Sequence, residues 1–211
     1  MKRHFLLLMA GAWAVLGITG CVKEPMNNLS APESRIYITN RDSTANFSAY
    51  TTFSIADSVT VIDNNNLAGK QRTSTDAGFI DAVRNEMKAR GYAEVSKGAS
   101  PDLGINISRI YNTYTGVMTY PNYWGMYDRY YDPYYWGYGG YPYYFPPLYS
   151  FYEVTEGALS VDILDLKDAS ATQRIKGLWQ GLIRGSGIFS QDPVPQVKAL
   201  FDQSNYLKKN Q

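Results

Sequence analysis

Between Tyr120 and Tyr152 the chain gathers 13 tyrosines, two tryptophans and two phenylalanines into 33 residues, together with five prolines and four glycines. Pro121, Pro133, Pro142, Pro146 and Pro147 exclude a regular helix and any central strand, because proline lacks the N–H that both need. The tract is therefore expected as a long excursion between two strands, and excursions of this length are either functional or disordered. Counted from Tyr111 it holds 15 of the 19 tyrosines, so the aromatic excess is local. Only Asp128, Arg129 and Asp132 carry charge between Tyr120 and Tyr152.

The flanking chain is patterned. Arg35 to Thr39 has strand composition, and Phe47 to Ile55 has it toward its end, with Phe53 and Ile55 on one face. Asp63 to Gly69, with three consecutive asparagines, reads as a loop. A helix follows, with Ser74, Thr75 and Asp76 as N-cap candidates, an apolar stripe of Phe79, Ile80, Val83 and Met87, and Gly91 as its stop. Asp102 to Ile110 alternates, with Leu103, Ile105 and Ile107 on the buried face. Residues 158–166 do the same with Leu159, Val161 and Ile163 inward and Ser160 and Asp162 outward. Lys167 to Gln173 is a polar turn, and Arg174 to Ile183 is its return strand. The last element starts at Asp192-Pro193 and places Val194, Val197, Leu200 and Phe201 at helical spacing, ending by Asn205. This order predicts an α+β fold with two helices on one face of a mixed or antiparallel sheet, a single domain over residues 34–205 and a tail over 206–211.

The first twenty residues read as a targeting signal. Lys2 and Arg3 precede an apolar run from Phe5 to Leu16, and Ile18-Thr19-Gly20-Cys21 follows as a small-residue cleavage site. This segment resembles a bacterial lipobox. The resemblance implies a diacylglyceryl group on Cys21, cleavage before it and acylation of the new amino group. A run of this length is too short to span a bilayer comfortably, whereas several acyl chains anchor stably, at about 0.8 kcal/mol per buried methylene. Val22 to Glu33 reads as a tether that reaches roughly 40 Å when extended. The expected location is the bacterial envelope, anchored to the outer membrane through Cys21 and facing the periplasm rather than the cell surface.

Processing removes His4, the one histidine, and lipidation consumes Cys21, the one cysteine. A mature chain without either has no Cys/His metal cluster and no Ser-His-Asp or Cys-His machinery, and no cofactor is expected. With 20 basic against 19 acidic residues and no basic run, no electrostatic case for nucleic acid exists.

A further resemblance rests on Asn46-Phe47-Ser48-Ala49-Tyr50-Thr51-Thr52-Phe53, on Gly91-Tyr92 with Ala99-Ser100-Pro101-Asp102-Leu103, and on Gly157-Ala158-Leu159-Ser160-Val161-Asp162-Ile163 with Leu178-Trp179-Gln180-Gly181. Across most of residues 35–205, outside the tyrosine-rich centre, the chain resembles a bacterial envelope lipoprotein family defined by a domain of unknown function, number forty-one thirty-six. That resemblance implies an anchored α+β domain and supplies no catalytic residues.

Four readings of the aromatic tract remain open. Its rings pack on each other or on the sheet; or they form a protein contact surface, since Tyr and Trp dominate interface hot spots; or they stack on glycan or peptidoglycan; or they lie at lipid headgroups. The residues placed on the contact surface are Tyr123, Trp124, Tyr127, Tyr130, Tyr131, Tyr134, Tyr135, Trp136 and Tyr138. Catalysis would need paired carboxylates, Glu153 with Glu156 or Asp162 with Asp165, flanking a sugar. The expectation is a non-enzymatic module, with glycan binding as the alternative and a carboxylate glycosidase behind it.

Overall fold

The computed structural model describes residue 30 and residues 33–64, 66–111, 117–119, 133–144, 151–153 and 157–209. The signal segment, Cys21 and nearly all of the tether lie outside the described residues. Residues 31–211 form one compact unit. Its strands are β1 (Ile36–Arg41), β2 (Thr52–Ile55), β3 (Val59–Asp63), β4 (Asn66–Gln71), β5 (Ala93–Glu94), β6 (Leu103–Tyr111), β7 (Val117–Thr119), β8 (Tyr143–Tyr144), β9 (Phe151–Glu153), β10 (Ala158–Asp165) and β11 (Ile175–Arg184). The helices are α1 (Ser74–Ala89), the single-turn α2 (Ala169–Thr172) and α3 (Pro193–Asp202). The fold is α+β: a large mixed sheet in the order β1-β11-β10-β6-β2-β5, with helices packed against it. β3 continues the β2 edge of β6, pairing at Thr60↔Ser108 where β2 pairs at Phe53↔Leu103.

α1 starts one residue earlier than the sequence candidates suggest. Thr73 is the N-cap, and Asp76 is the N3 member of a capping box, its carboxylate accepting from the Thr73 N–H and hydroxyl at 2.7 Å each. The predicted stripe is buried, and Gly91, at φ +90°, ends the helix in the left-handed region. In α3, Asp192 caps Val194 N–H at 2.9 Å and Pro193 opens the first turn. Val194 departs from its expected place in the stripe and is exposed, while Gln196 turns inward and donates to the carbonyls of Ile188 and Asp192. Both long helices cover the Leu103, Ile105, Ile107, Leu159, Val161 and Ile163 face, forming one core with Trp179 and Phe201.

Three expectations need correction. The loop assigned to Asp63–Gly69 is a hairpin: β3 and β4 pair from Val59↔Gln71 to Asp63↔Asn66, with Asn64 at φ +46° in the turn. Asparagine tolerates that backbone, so the asparagine run marks a tight turn and not a long loop. The tail assigned to 206–211 is packed through residue 209: Leu207 is fully buried, its N–H bonds the Ser204 carbonyl, and Lys209 N–H bonds the Arg90 carbonyl. Finally, Ser160 and Asp162 do not face solvent; both are fully buried. β6 and β10 are covered on both faces, so their alternation separates two buried environments, apolar and polar.

Candidate functional site

On the sheet face opposite α1 and α3 lie two distinct groupings. The first is a polar row. Register places Asn40, Gln180, Asp162 and Asn106 side by side on β1, β11, β10 and β6. The next rung holds Ser160, Ser108 and Thr60. Ser160 donates to the Asp162 carboxylate at 3.2 Å and accepts from the Gln180 amide at 3.3 Å. Buried polar groups need such partners, because each unsatisfied one costs about 1–3 kcal/mol.

The second grouping is built by the centre of the aromatic tract. Trp136 is buried in a small core with Leu164, Leu166, Ala169 and Ile175. A Cβ on Gly104 would sit 3.1 Å from the Trp136 ring and 2.8 Å from Leu166, so the absence of a side chain in β6 lets the indole dock. The Tyr138 hydroxyl donates to the Leu166 carbonyl at 3.0 Å, and the Tyr135 hydroxyl accepts from Asp57 N–H where β2 gives way to β3. Lys97 lies 4.3 Å from the Tyr135 ring centroid. β8 adds in parallel to β11 through Tyr143↔Ile175.

Of the nine residues assigned to a contact surface, Tyr123, Trp124, Tyr127, Tyr130 and Tyr131 lie outside the described residues. The other four divide by role. Trp136, Tyr135 and Tyr138 are buried or half-buried against the sheet, and Tyr134 is 77% exposed with its ring against Gly139. Between Pro133 and Tyr144 the packing reading of the tract is realised, and the outward rings are those of Tyr134 and Tyr144.

The carboxylates considered for catalysis separate as well. Asp162 lies in the polar row. Asp165, three residues on, points to the other face and accepts from the Tyr50 hydroxyl at 3.0 Å and from Asp168 N–H at 3.1 Å. Burial pushes the Asp165 carboxyl above its ordinary range, and its hydrogen bonds do not fully offset this. Burial, with Asp165 beside it, likewise raises Tyr50. Glu156 lies outside the described residues, and of Glu153 the structure gives the backbone of β9.

Sequence reasoning did not find a cleft of about 360 Å³ above the Tyr50–Asp165 pair, with Asn46, Asp168, Arg174 and Lys176 among its lining. The signal was present only as scattered residues from three segments. Lys176 is engaged with Asp42. Among the described residues no group of three His, Cys, Asp or Glu could hold a metal, and no helix is long and apolar enough to cross a membrane.

The residues that carried the sequence resemblance join one another. Asp102 accepts from Thr51 N–H at 2.6 Å, the Thr51 hydroxyl at 2.8 Å and Thr52 N–H at 3.2 Å, and the Tyr92 hydroxyl donates to the Phe47 carbonyl at 3.1 Å. They staple the starts of β2 and β6, which explains why the pattern reports a fold.

No curated protein matches the chain. Among solved structures, a DUF4136 family protein from Bacteroides thetaiotaomicron is 26% identical, with a TM-score of 0.69 over 84% of this chain and 99% of that one. A PDZ domain protein from Parabacteroides distasonis is 15% identical, with a TM-score of 0.44 over 83% of this chain and 37% of that one. A PelC dodecamer from Paraburkholderia phytofirmans gives 10% and 0.39, covering 83% and 100%. The model of the domain of unknown function DUF4136 matches residues 38–203. By that match, which spans most of the sheet and both long helices, the chain belongs to the DUF4136 family.

Proposed function

We propose that the protein is a non-catalytic module of the bacterial envelope, lipid-anchored at Cys21, that uses the tyrosine-rich excursion to contact another envelope component. The observation that carries this reading is the division of labour within Pro133–Tyr144. Trp136, Tyr135 and Tyr138 tie the segment to the sheet, while Tyr134 and Tyr144 stand at 77% and 45% exposure. A pinned backbone presenting exposed rings suits recognition, because little side-chain entropy is lost on binding. Anchoring rests on the order Ile18-Thr19-Gly20-Cys21 after the apolar run. Glycan binding is the second reading, favoured by the same exposed rings.

Cys21→Ala should move the protein from the membrane fraction to the soluble one; continued membrane association overturns the anchor. Replacing Tyr134 and Tyr144 together by Ala should abolish in-cell crosslinks to a protein partner while leaving the fold intact. Unchanged crosslinks, or retention on immobilised peptidoglycan that the double variant loses, would replace the protein-contact reading.

A further inference from the structure

Neither Tyr134 nor Tyr144 lines the cleft above Tyr50 and Asp165, which carries charges of both signs. At about 360 Å³ it falls at the small end of ligand pockets. Its floor is the buried Tyr50–Asp165 pair. Two opposite charges line the same space: Asp168, next to Asp165, and Arg174, at the far end of α2. Both are exposed. Among the described residues neither side chain makes an ion pair, although Lys176 beside them pairs with Asp42. Asp168 and Arg174 thus line one cleft as opposite charges that do not neutralise each other. The two acids are neighbours, with the Asp168 N–H donating to the Asp165 carboxylate at 3.1 Å.

We infer that this cleft binds a small zwitterion, the ammonium and carboxylate of a free amino acid or a peptide terminus, with the ammonium at Asp165 and Asp168 and the carboxylate at Arg174. A ligand carrying both charges meets both of the unpaired side chains in the lining. A charge-assisted hydrogen bond at each end supplies the selectivity. Asn46 and Thr172, also in the lining, offer hydrogen-bonding groups beside the charged ones.

The test uses the full-length protein in detergent, with binding followed by ligand-observed saturation-transfer NMR and calorimetry. Alanine is the zwitterionic probe, ethylamine the ammonium alone and propionate the carboxylate alone. Alanine should bind, and the two singly charged probes should bind at least about tenfold more weakly, since losing one charge-assisted contact removes about 1.4 kcal/mol or more. Arg174→Gln and Asp168→Asn should each weaken alanine by about tenfold. Both side chains are exposed, so the thermal midpoint by circular dichroism should stay unchanged. Equal binding of ethylamine and alanine would leave a cation site and overturn the proposal. So would no alanine binding, or alanine binding that both substitutions leave untouched. The Tyr134 and Tyr144 substitutions should not affect this binding, so the cleft and the aromatic surface succeed or fail separately.

Discussion

Trp136→Ala tests whether the centre of the aromatic tract belongs to the fold. The indole is 7% exposed and packs on Leu164, Leu166, Ala169 and Ile175 over Gly104. Truncating a buried tryptophan costs about 3–5 kcal/mol, the transfer of the ring plus the cavity it leaves. In a domain of this size about 1 kcal/mol shifts the thermal midpoint by about 2–4 °C, which gives a fall of about 6–20 °C. The structure also says where the loss should appear. If the segment lifts off the sheet, the Ile175 N–H bond to Pro142 opens, and that amide exchanges while β6 and β10 stay protected. Urea denaturation with amide exchange reads both effects. Trp136→Phe, which keeps a ring over Gly104, should lose clearly less. An unchanged urea midpoint together with unchanged exchange at Ile175 would show that the segment contributes nothing to stability and refute the reasoning.

Arg109→Met should destabilise by about 3–5 kcal/mol in urea, because it strips the 2.6 Å partner from Asp76, a fully buried carboxylate; a loss below about 1 kcal/mol would mean the capping box alone satisfies it. Gly181→Ala should cost about 1–3 kcal/mol, since the added Cβ would lie 2.5 Å from both Leu200 and Trp179 where α3 meets β11; a neutral thermal midpoint would contradict that close approach. Two carboxylates should respond to pH in opposite directions. Burial opposes ionisation of Asp102, but hydrogen bonds from Thr51 and Thr52 outweigh it and hold the carboxyl below 3.8, so its stabilisation is present above that value and is lost as pH falls through the folded one. Asp165 is raised, so its contribution declines as pH climbs from 3.8 through the raised value. In urea titrations from about pH 3 to 7, Asp102→Asn should therefore become more damaging with rising pH and Asp165→Asn less so; the same trend in both would refute the assignment.

Local signals explain what was legible. α1 could be read because a cap, a stripe of Phe79, Ile80, Val83 and Met87, and a terminal glycine all lie within one short stretch. The β10–β11 pairing was equally local, two alternating runs joined by a polar turn. Failure followed wherever the deciding partner lay far away in sequence. Ser160 and Asp162 alternate as solvated residues would, and nothing near them states that Gln180 and Ser108 lie alongside. Leu207 looks like part of a tail until the site where it is buried is known. The cleft draws on Asn46, Tyr50, Asp165, Asp168 and Arg174, whose convergence requires the sheet order itself. Gly104 is the sharpest instance: in the sequence it is a weak residue in a strand, and in the fold it is the recess into which the tyrosine-rich tract sets its tryptophan.

The parity of β10 separates its two acids. Residues an odd number apart on a strand point to opposite faces, so Asp162 and Asp165 could never flank one substrate while both lay in the strand. Cleavage of a glycosidic bond by two carboxyls needs them on the same site, about 5–9.5 Å apart. Each acid would then need a second carboxylate from a neighbouring strand. In register with Asp162 stand Asn106 and Gln180, both amides. Beside Asp165 stand Leu103 and Lys176, with Asp168 following in the turn. Asp168 is thus the acid with which Asp165 shares a cleft, and Arg174 lines the same space.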